Sequence, residues 1–251
     1  MSFYKYNYSD FYCGLISGLV SNTICNPFDV IRTNKQLNNK ISYNFTFLSR
    51  GLLSGFITIP TFWSIYFESY KNLKIINQNR LSFLNGYIAS NIASTITCPL
   101  WFIRQKYHVS KNFNILSFYK NNGITPFYNS LLSTYFINAS FVIQMPLYEN
   151  LKKNKKIKNK ISNDSLRIFL ITSISKTVAA CVFYPIDTIR TIKRNNHNDS
   201  IIKIIYKLNI NPIKYYSGLN VYLMRSIPYH TITFCTFEYF KNSLKKNKNK
   251  I

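Results

Sequence analysis

The sequence predicts an all-α membrane protein in which six transmembrane helices form three tandem two-helix repeats with pseudo-threefold symmetry. Two observations carry this prediction. Long stretches of the chain contain no charged residue, and one short motif occurs three times in register with those stretches. They indicate a single domain over residues 1–251, with repeats at about 1–76, 77–153 and 154–251.

The uncharged stretches are long enough to cross a bilayer, since a helix needs about 17 to 25 residues to span the hydrocarbon core. They are 11–28, 51–67, 81–103 and 121–148. Two later apolar stretches, 168–186 and 226–237, carry or border a charge. Polar side chains within these stretches are costly against lipid, so we expect them to face a wet cavity. The predicted helices span 9–37, 51–76, 80–108, 128–153, 164–194 and 216–244.

A proline motif lies near the end of the first helix of each repeat. Pro27, Pro99 and Pro185 stand 72 and 86 residues apart, and each is predicted to kink its helix because proline removes an internal hydrogen bond. An arginine follows each proline five residues later, and an aspartate follows two of them two residues later. Acid and base three residues apart share a helix face, so three such helices can close a cavity floor. The motif residues are Asp29, Arg32, Trp101, Arg104, Asp187 and Arg190.

The charge and composition leave three classes of protein to compare. A net charge of +24 favours a polyanionic partner, which can be nucleic acid, anionic lipid or a phosphorylated small molecule. A basic helical protein that binds nucleic acid is one alternative, but we interpret the basic run 152–160 as a solvated loop near anionic lipid headgroups. An enzyme has the least support, because no Gly-rich phosphate loop or nucleophile with a base is evident. The five cysteines are isolated, so neither a metal nor a cofactor is expected.

These motifs resemble those of the mitochondrial carrier family over essentially the whole chain. The family motif PX[DE]XX[RK] matches the first and third copies, whereas the second has tryptophan in place of the acid. The resemblance implies a matrix gate in which Asp29 pairs with Arg104 and Asp187 with Arg32. It leaves Arg190 without an acid. It also implies a short helix on the matrix face after each odd-numbered transmembrane helix.

A second family motif, [FY][DE]XX[RK], implies a cytosolic gate. The chain matches it in the second and third repeats, but in the first repeat Lys71 takes the place of the acid, and Glu68 is the candidate to replace it. The residues of the cytosolic gate implied by this resemblance are Glu149, Lys152, Glu238, Lys241 and Lys74.

Further features resemble the carriers of NAD, flavin, folate and pyrimidine nucleotides. They are Trp101 in the second motif, the pair Ser175 and Lys176, and the segments VIQMPLYE at 142–149 and RSIP at 225–228. Trp63 matches the dinucleotide and folate members, whereas pyrimidine carriers tend to have a basic residue there. The best match is therefore an NAD carrier, and a carrier of FAD, folate or pyrimidine nucleotides is the alternative.

This resemblance implies exchange of NAD⁺ against AMP-like or ADP-like nucleotides in the mitochondrial inner membrane, with peroxisome or plastid as the alternative organelles. Lys176 is expected to bind substrate phosphate, and Arg225 is expected either to do the same or to be a helix-end cation. Trp63 is either a stacking platform for a base or an interfacial tryptophan. The expected substrate-binding residues are Lys176, Arg225, Trp63, Gln144 and Ile137. We expect a monomer in contact with membrane lipids, including anionic lipids such as cardiolipin, without nucleic acid or a cofactor.

Overall fold

The computed structural model describes residues 8–76, 82–154, 164–226, 228–229, 231–232 and 236. These residues are mainly helical and contain no strand, which confirms the helical fold class. The helices are α1 (Tyr8–Gln36), α2 (Phe45–Leu48), α3 (Leu52–Ile76), α4 (Ser82–Val109), α5 (Ile115–Asn122), α6 (Thr125–Tyr128), α7 (Leu131–Asn138), α8 (Phe141–Lys153), α9 (Asp164–Asn195) and α10 (Ile201–Asn209). A 3₁₀ helix at Pro212–Tyr216 then leads into α11, residues 219–226.

Four of the six predicted long helices begin and end within two residues of their expected bounds. They are α1, α3, α4 and α9. Short helices follow three of the long ones, where the sequence analysis expected them: α2 follows α1, α5 follows α4, and α10 follows α9. The sixth predicted helix begins at residue 219, and its part beyond residue 236 lies outside the described residues.

The prediction of one continuous helix over 128–153 is wrong, because the chain forms α6, α7 and α8 instead. At the second break, the amide of Ser140 donates to the carbonyl of Ile137 at 3.0 Å, a three-residue step that tightens the helix. Polar contacts with neighbouring helices lie beside both breaks. Asn138 Nδ2 donates to Asn91 Oδ1 at 2.9 Å, and Ser130 Oγ accepts from Arg194 Nε at 2.8 Å. Hydrophobic periodicity does not report such contacts.

The three motif prolines lie inside helices that continue for at least nine residues beyond them. Their kinks stay a prediction. Several polar residues of the long helices contact neighbouring helices, and for these the expectation that they face a cavity is wrong. Asn91 contacts Asn138, and Thr95 Oγ lies 2.7 Å from the hydroxyl of Tyr135, so α4 and α7 are joined by hydrogen bonds.

By length and composition, one helix among the described residues is apolar enough to cross a membrane. It is Leu166–Asn195, whose most apolar window has a mean hydropathy of 1.7 and is 17% buried. The other long helices carry many amide and hydroxyl side chains, which lower their hydropathy. In α1 and α4 these include Asn22, Asn26 and Asn85, all of them buried.

Candidate functional site

A cavity of about 340 Å³ opens between α1, α3, α4, α9 and α11. The three motif helices line it with the same four positions, which are two, five, six and nine residues after the proline. Such positions form one stripe along a helix, so each repeat turns an equivalent face to the cavity. The lining residues of this stripe are Asp29, Arg32, Thr33 and Gln36, then Trp101, Arg104, Gln105 and His108, and then Asp187, Arg190, Thr191 and Arg194.

Half of this stripe was missed by sequence reasoning, which considered only the positions two and five residues after each proline. The missed residues include Gln36, His108 and Arg194, which are equivalent in the three repeats. Extending the repeat alignment by one helical turn gives the signal that finds them.

One ion pair of the cavity floor joins α1 to α4. Arg104 Nη2 lies 3.3 Å from Asp29 Oδ2 and donates to Asn22 Oδ1 at 2.8 Å. The Arg104 side chain is only 4% exposed. Gly55 of α3 makes room for this cluster, because a Cβ at that position would lie 2.8 Å from Asn22 Nδ2. The sequence placed Arg104 with Asp29 but gave no indication of Asn22.

A second ion pair of the floor joins α1 to α9 through Arg32 and Asp187. Gln36 Nε2 donates to the same carboxylate at 2.9 Å, so two side chains of α1 hold Asp187. Arg190 also binds Asp187, from three residues further along the same helix. The expectation that Arg190 has no acid is therefore wrong, because the acid of its own helix takes the place of the missing acid in the second repeat.

Arg225 of α11 makes a contact that the sequence did not predict. Its Nε lies 3.0 Å from Asp29 Oδ1, and its guanidinium carbon lies 4.9 Å from the centre of the Tyr229 ring. Both oxygens of the Asp29 carboxylate therefore face an arginine. The floor joins α1 to α11 as well as to α4 and α9.

Lys176 and Trp63 also line the cavity. Lys176 is exposed, and within the described part of the chain it forms no ion pair. Trp63 is 42% exposed, and its ring stacks on Phe67 with centroids 5.5 Å apart. Phe62 also lines the cavity and contacts Trp101 edge to face, at a centroid distance of 6.2 Å. The cavity thus combines a lysine that forms no ion pair within the described residues with an aromatic wall.

Cations outnumber acids in this cavity. Its lining contains two carboxylates, Asp29 and Asp187. The six cationic side chains are Arg32, Arg104, Arg190, Arg194, Arg225 and Lys176. Low-dielectric walls strengthen the field of such a surplus, so the cavity favours anions. Phosphate and carboxylate groups are the anions that arginine binds with two parallel hydrogen bonds.

Two expected substrate contacts lie elsewhere. Gln144 of α8 and Ile137 of α7 do not line the cavity, because its walls come from other helices. Within the described residues, no ion pair joins Glu149, Lys152 and Lys74, and Lys152 Nζ instead lies 5.6 Å from the centre of the Tyr148 ring. The other cytosolic-gate residues, Glu238 and Lys241, lie outside the described residues, so this gate stays a prediction.

A helical fold in which three repeats turn the same basic stripe to one cavity defines a solute carrier of the mitochondrial type. The sequence model of the mitochondrial carrier protein family matches residues 4–81 and 162–248. The chain belongs to this family, whose members are membrane transporters and not enzymes. The family match does not cover 82–161, the segment in which Trp101 replaces the acid of the motif.

Individual relatives show modest identity, and the alignments cover different shares of each protein. The chain is 27% identical over 289 residues to the mitochondrial substrate carrier family protein W of Dictyostelium discoideum, covering 94% of this chain and 86% of that protein. It is 26% identical to the mitochondrial nicotinamide adenine dinucleotide transporter 1 of Saccharomyces cerevisiae, over 78% of this chain and 62% of that protein. It is 25% identical to the human solute carrier family 25 member 33, over 76% of this chain and 69% of that protein.

Proposed function

We propose that this chain exchanges a nucleotide-type anion across the mitochondrial inner membrane by alternating access, with NAD⁺ as the first substrate and AMP-like or ADP-like nucleotides as counter-substrates. The observation that carries the proposal is the cavity itself, in which Lys176 and the exposed Trp63 lie above a floor of arginine–aspartate pairs, and Lys176 forms no ion pair with any described residue. A relative named as a nicotinamide adenine dinucleotide transporter supports NAD⁺ as the substrate to test first.

The proposed architecture has six transmembrane helices related by a pseudo-threefold axis, one domain over residues 1–251, and repeats at about 1–76, 77–153 and 154–251. The equivalent stripe that each motif helix turns to the cavity supports the symmetry. In this arrangement α2, α5 and α10 lie on the matrix face. The basic run 152–160 lies mostly outside the described residues, and its contact with anionic lipid stays a prediction, as does a monomeric state.

In the proposed transport cycle, the described conformation corresponds to a cavity closed on the matrix side. The ion pairs of Asp29 and Asp187 are formed, which supports this assignment. Alternating access requires substrate to bind the two conformations differently, because a ligand with equal affinity for both shifts nothing. A substrate anion that draws cations away from the two aspartates supplies such a difference.

The two kinds of cavity wall would divide the work of recognition. A pyrophosphate needs cations in a poorly solvating space, where each contact is stronger than in water. Lys176 supplies such a cation, whose charge no carboxylate of the described chain neutralises by an ion pair. The flat rings of a dinucleotide need an aromatic platform, which Trp63 and Phe62 of α3 offer.

Uptake into proteoliposomes tests the proposal. Purified protein is assayed with NAD⁺, FAD, folate, pyrimidine nucleotides and coenzyme A, and NAD⁺ is expected to be taken up fastest. Trp63→Ala should change the ratio of uptake among these substrates more than it slows the fastest of them. Tyr206→Ala is the control, because Tyr206 lies on α10 and does not line the cavity. Failure to take up any nucleotide would refute the proposed function, whereas preference for FAD, folate or a pyrimidine nucleotide would replace NAD⁺ within it.

A further inference from the structure

We infer that Arg225 is a link of the matrix gate as well as a cation of the cavity, so that an anion bound at Arg225 competes directly with Asp29. This inference rests on the proposed function and names the residue through which substrate acts on the gate. It assigns Arg225 a second role that neither its position in the sequence nor the family motif indicates.

Trp101 leaves the ring of motif residues without an acid in the second repeat. Without an acid at this position of α4, Arg190 has no motif partner on that helix and binds Asp187 of its own helix instead. The contact between α4 and α9 then depends on bonds to backbone groups. One of them runs from Gln105 Nε2 to the carbonyl of Thr191, at 2.7 Å. Among the motif residues, ion pairs therefore join α1 to α4 and α1 to α9, but not α4 to α9.

Arg225 lies outside the motif and supplies a third ion pair between helices. Its Nε lies 3.0 Å from Asp29 Oδ1, while Arg104 occupies the other oxygen at 3.3 Å. This contact ties α1 to α11, which follows α9, α10 and the 3₁₀ helix in the third repeat. The floor is thereby closed by three interhelical ion pairs despite the missing acid.

The two arginines that contact Asp29 differ in how far their side chains are exposed. The Arg225 side chain is 20% exposed and lines the cavity, whereas that of Arg104 is 4% exposed. In addition, Arg225 Nε makes no directed hydrogen bond with the described residues despite its short distance to Asp29, whereas Arg104 Nη2 donates to both Asp29 and Asn22. An anion entering the cavity can therefore reach Arg225 first and displaces the weaker of the two contacts.

Competition has consequences in both directions, because coupling between two binding events is reciprocal. A phosphate that takes the Arg225 guanidinium frees one oxygen of Asp29 and removes the link between α1 and α11. Conversely, Asp29 lowers the affinity of Arg225 for the phosphate. Removal of the Asp29 charge should therefore tighten nucleotide binding, and it should do so only while Arg225 is present.

A double-mutant cycle on nucleotide affinity tests this inference. Binding of AMP and of pyrophosphate is measured by calorimetry on purified full-length protein carrying Asp29→Asn, Arg225→Gln or both changes. Arg225→Gln is expected to weaken binding by about tenfold, as for loss of a charged hydrogen bond. Asp29→Asn is expected to tighten binding by roughly threefold to tenfold in the presence of Arg225, and not at all in its absence. A purely structural role of either residue would not tighten binding.

Asp187→Asn is the matched control, because Asp187 binds Arg32 and Arg190 but not Arg225. Its effect on affinity should be the same with and without Arg225. If Arg225→Gln is too unstable to purify, Arg225→Lys replaces it, and the tightening caused by Asp29→Asn should then shrink rather than vanish. Equal effects of Asp29→Asn in both backgrounds would overturn the inference alone. A wild-type protein that binds neither AMP nor pyrophosphate would overturn both the inference and the proposed function.

Discussion

The carboxylate of Asp29 lies between two guanidinium groups. The contribution of these ion pairs to stability depends on how far water reaches them. Wet ion pairs contribute about 1 kcal/mol or less, whereas removing one partner of a buried pair costs about 3–5 kcal/mol because a charge is left uncompensated. With the Arg104 side chain 4% exposed and that of Asp29 13% exposed, the pair belongs to the second group. We therefore expect a substitution of either residue alone to destabilise the protein strongly.

Reversal of charge at Asp29 should nearly abolish uptake, because Asp29→Arg places a third cation beside Arg104 and Arg225. The double change Asp29→Arg with Arg104→Asp restores one opposite pair, so uptake should return in part. The return is incomplete because Arg225 then faces an arginine. Initial uptake rates in proteoliposomes measure both effects, with Asp199→Arg as the control for a carboxylate outside the cavity. Equal rates in the single and double variants would show that Asp29 and Arg104 do not act as a pair.

The contacts of single residues were only partly predictable from the sequence. The resemblance to the carrier family implied which acid and base meet at the floor, and the structure places Arg104 beside Asp29 and Arg32 beside Asp187. Asn22 and Arg225 lie outside the repeated motif, and their partners lie far away in the chain. Such contacts depend on how helices pack, which local pattern does not encode.

The packing of α3 against α1 and α4 depends on a glycine. At Gly55 an added Cβ would lie 2.8 Å from Asn22 Nδ2 and 3.3 Å from the guanidinium carbon of Arg104. Gly55→Ala should therefore destabilise the protein by about 1–3 kcal/mol, as overpacking does, and lower its thermal unfolding midpoint in detergent. Gly18→Ala is the matched control, since no atom lies within 4 Å of its added Cβ. An equal effect of the two substitutions would contradict this account of the α1–α3–α4 contact.

The loop between α9 and α10 contains a histidine whose charge opposes folding. Burial and the nearby charges of Lys106 and Lys193 hold the pKa of His197 below its usual value, while its Nε2 lies 3.0 Å from Asn122 Oδ1. A group whose pKa is lower in the folded state stabilises the protein fully above its unfolded pKa of about 6.5 and loses this contribution as the pH falls.

The thermal unfolding midpoint should therefore fall more for the wild type than for His197→Gln when the pH is lowered from about 7.5 to about 5.5. Glutamine keeps a hydrogen-bonding group towards Asn122 but does not titrate. The comparison also cancels the titration of other groups. A parallel decline in the two proteins would show that His197 does not contribute to the pH dependence.

Among the helices, the bounds of four long ones were predicted well, and the interruption of the helix predicted at 128–153 was not. The bounds of α1, α3, α4 and α9 follow from apolar runs that end in charged or polar segments. The run that contains α6, α7 and α8 is equally free of charge, but side chains of α4 and α9 bond to it at the breaks. Such side-chain bonds depend on tertiary packing and are invisible in a single sequence.

For the molecule as a whole, the threefold repeat was more informative than hydropathy. A net charge of +24 and many buried amides obscure the membrane-spanning pattern, and one helix of the described chain passes a test of length and composition. The repeat instead identifies three equivalent helices, and the family match agrees with the first and third repeats. The second repeat departs from the motif at Trp101, and there the ion pairs of the cavity floor differ as well, because Arg190 binds the acid of its own helix.

In the proposed function, Lys176 is the cavity cation on which binding of the nucleotide phosphate depends most. The most direct measurement is the initial rate of NAD⁺ uptake by proteoliposomes that contain equal amounts of wild-type or Lys176→Ala protein. Loss of one charged contact predicts a decrease of at least about tenfold. Lys203→Ala, which removes an exposed lysine of α10, should leave the rate unchanged. Uptake by Lys176→Ala at the wild-type rate would contradict the account.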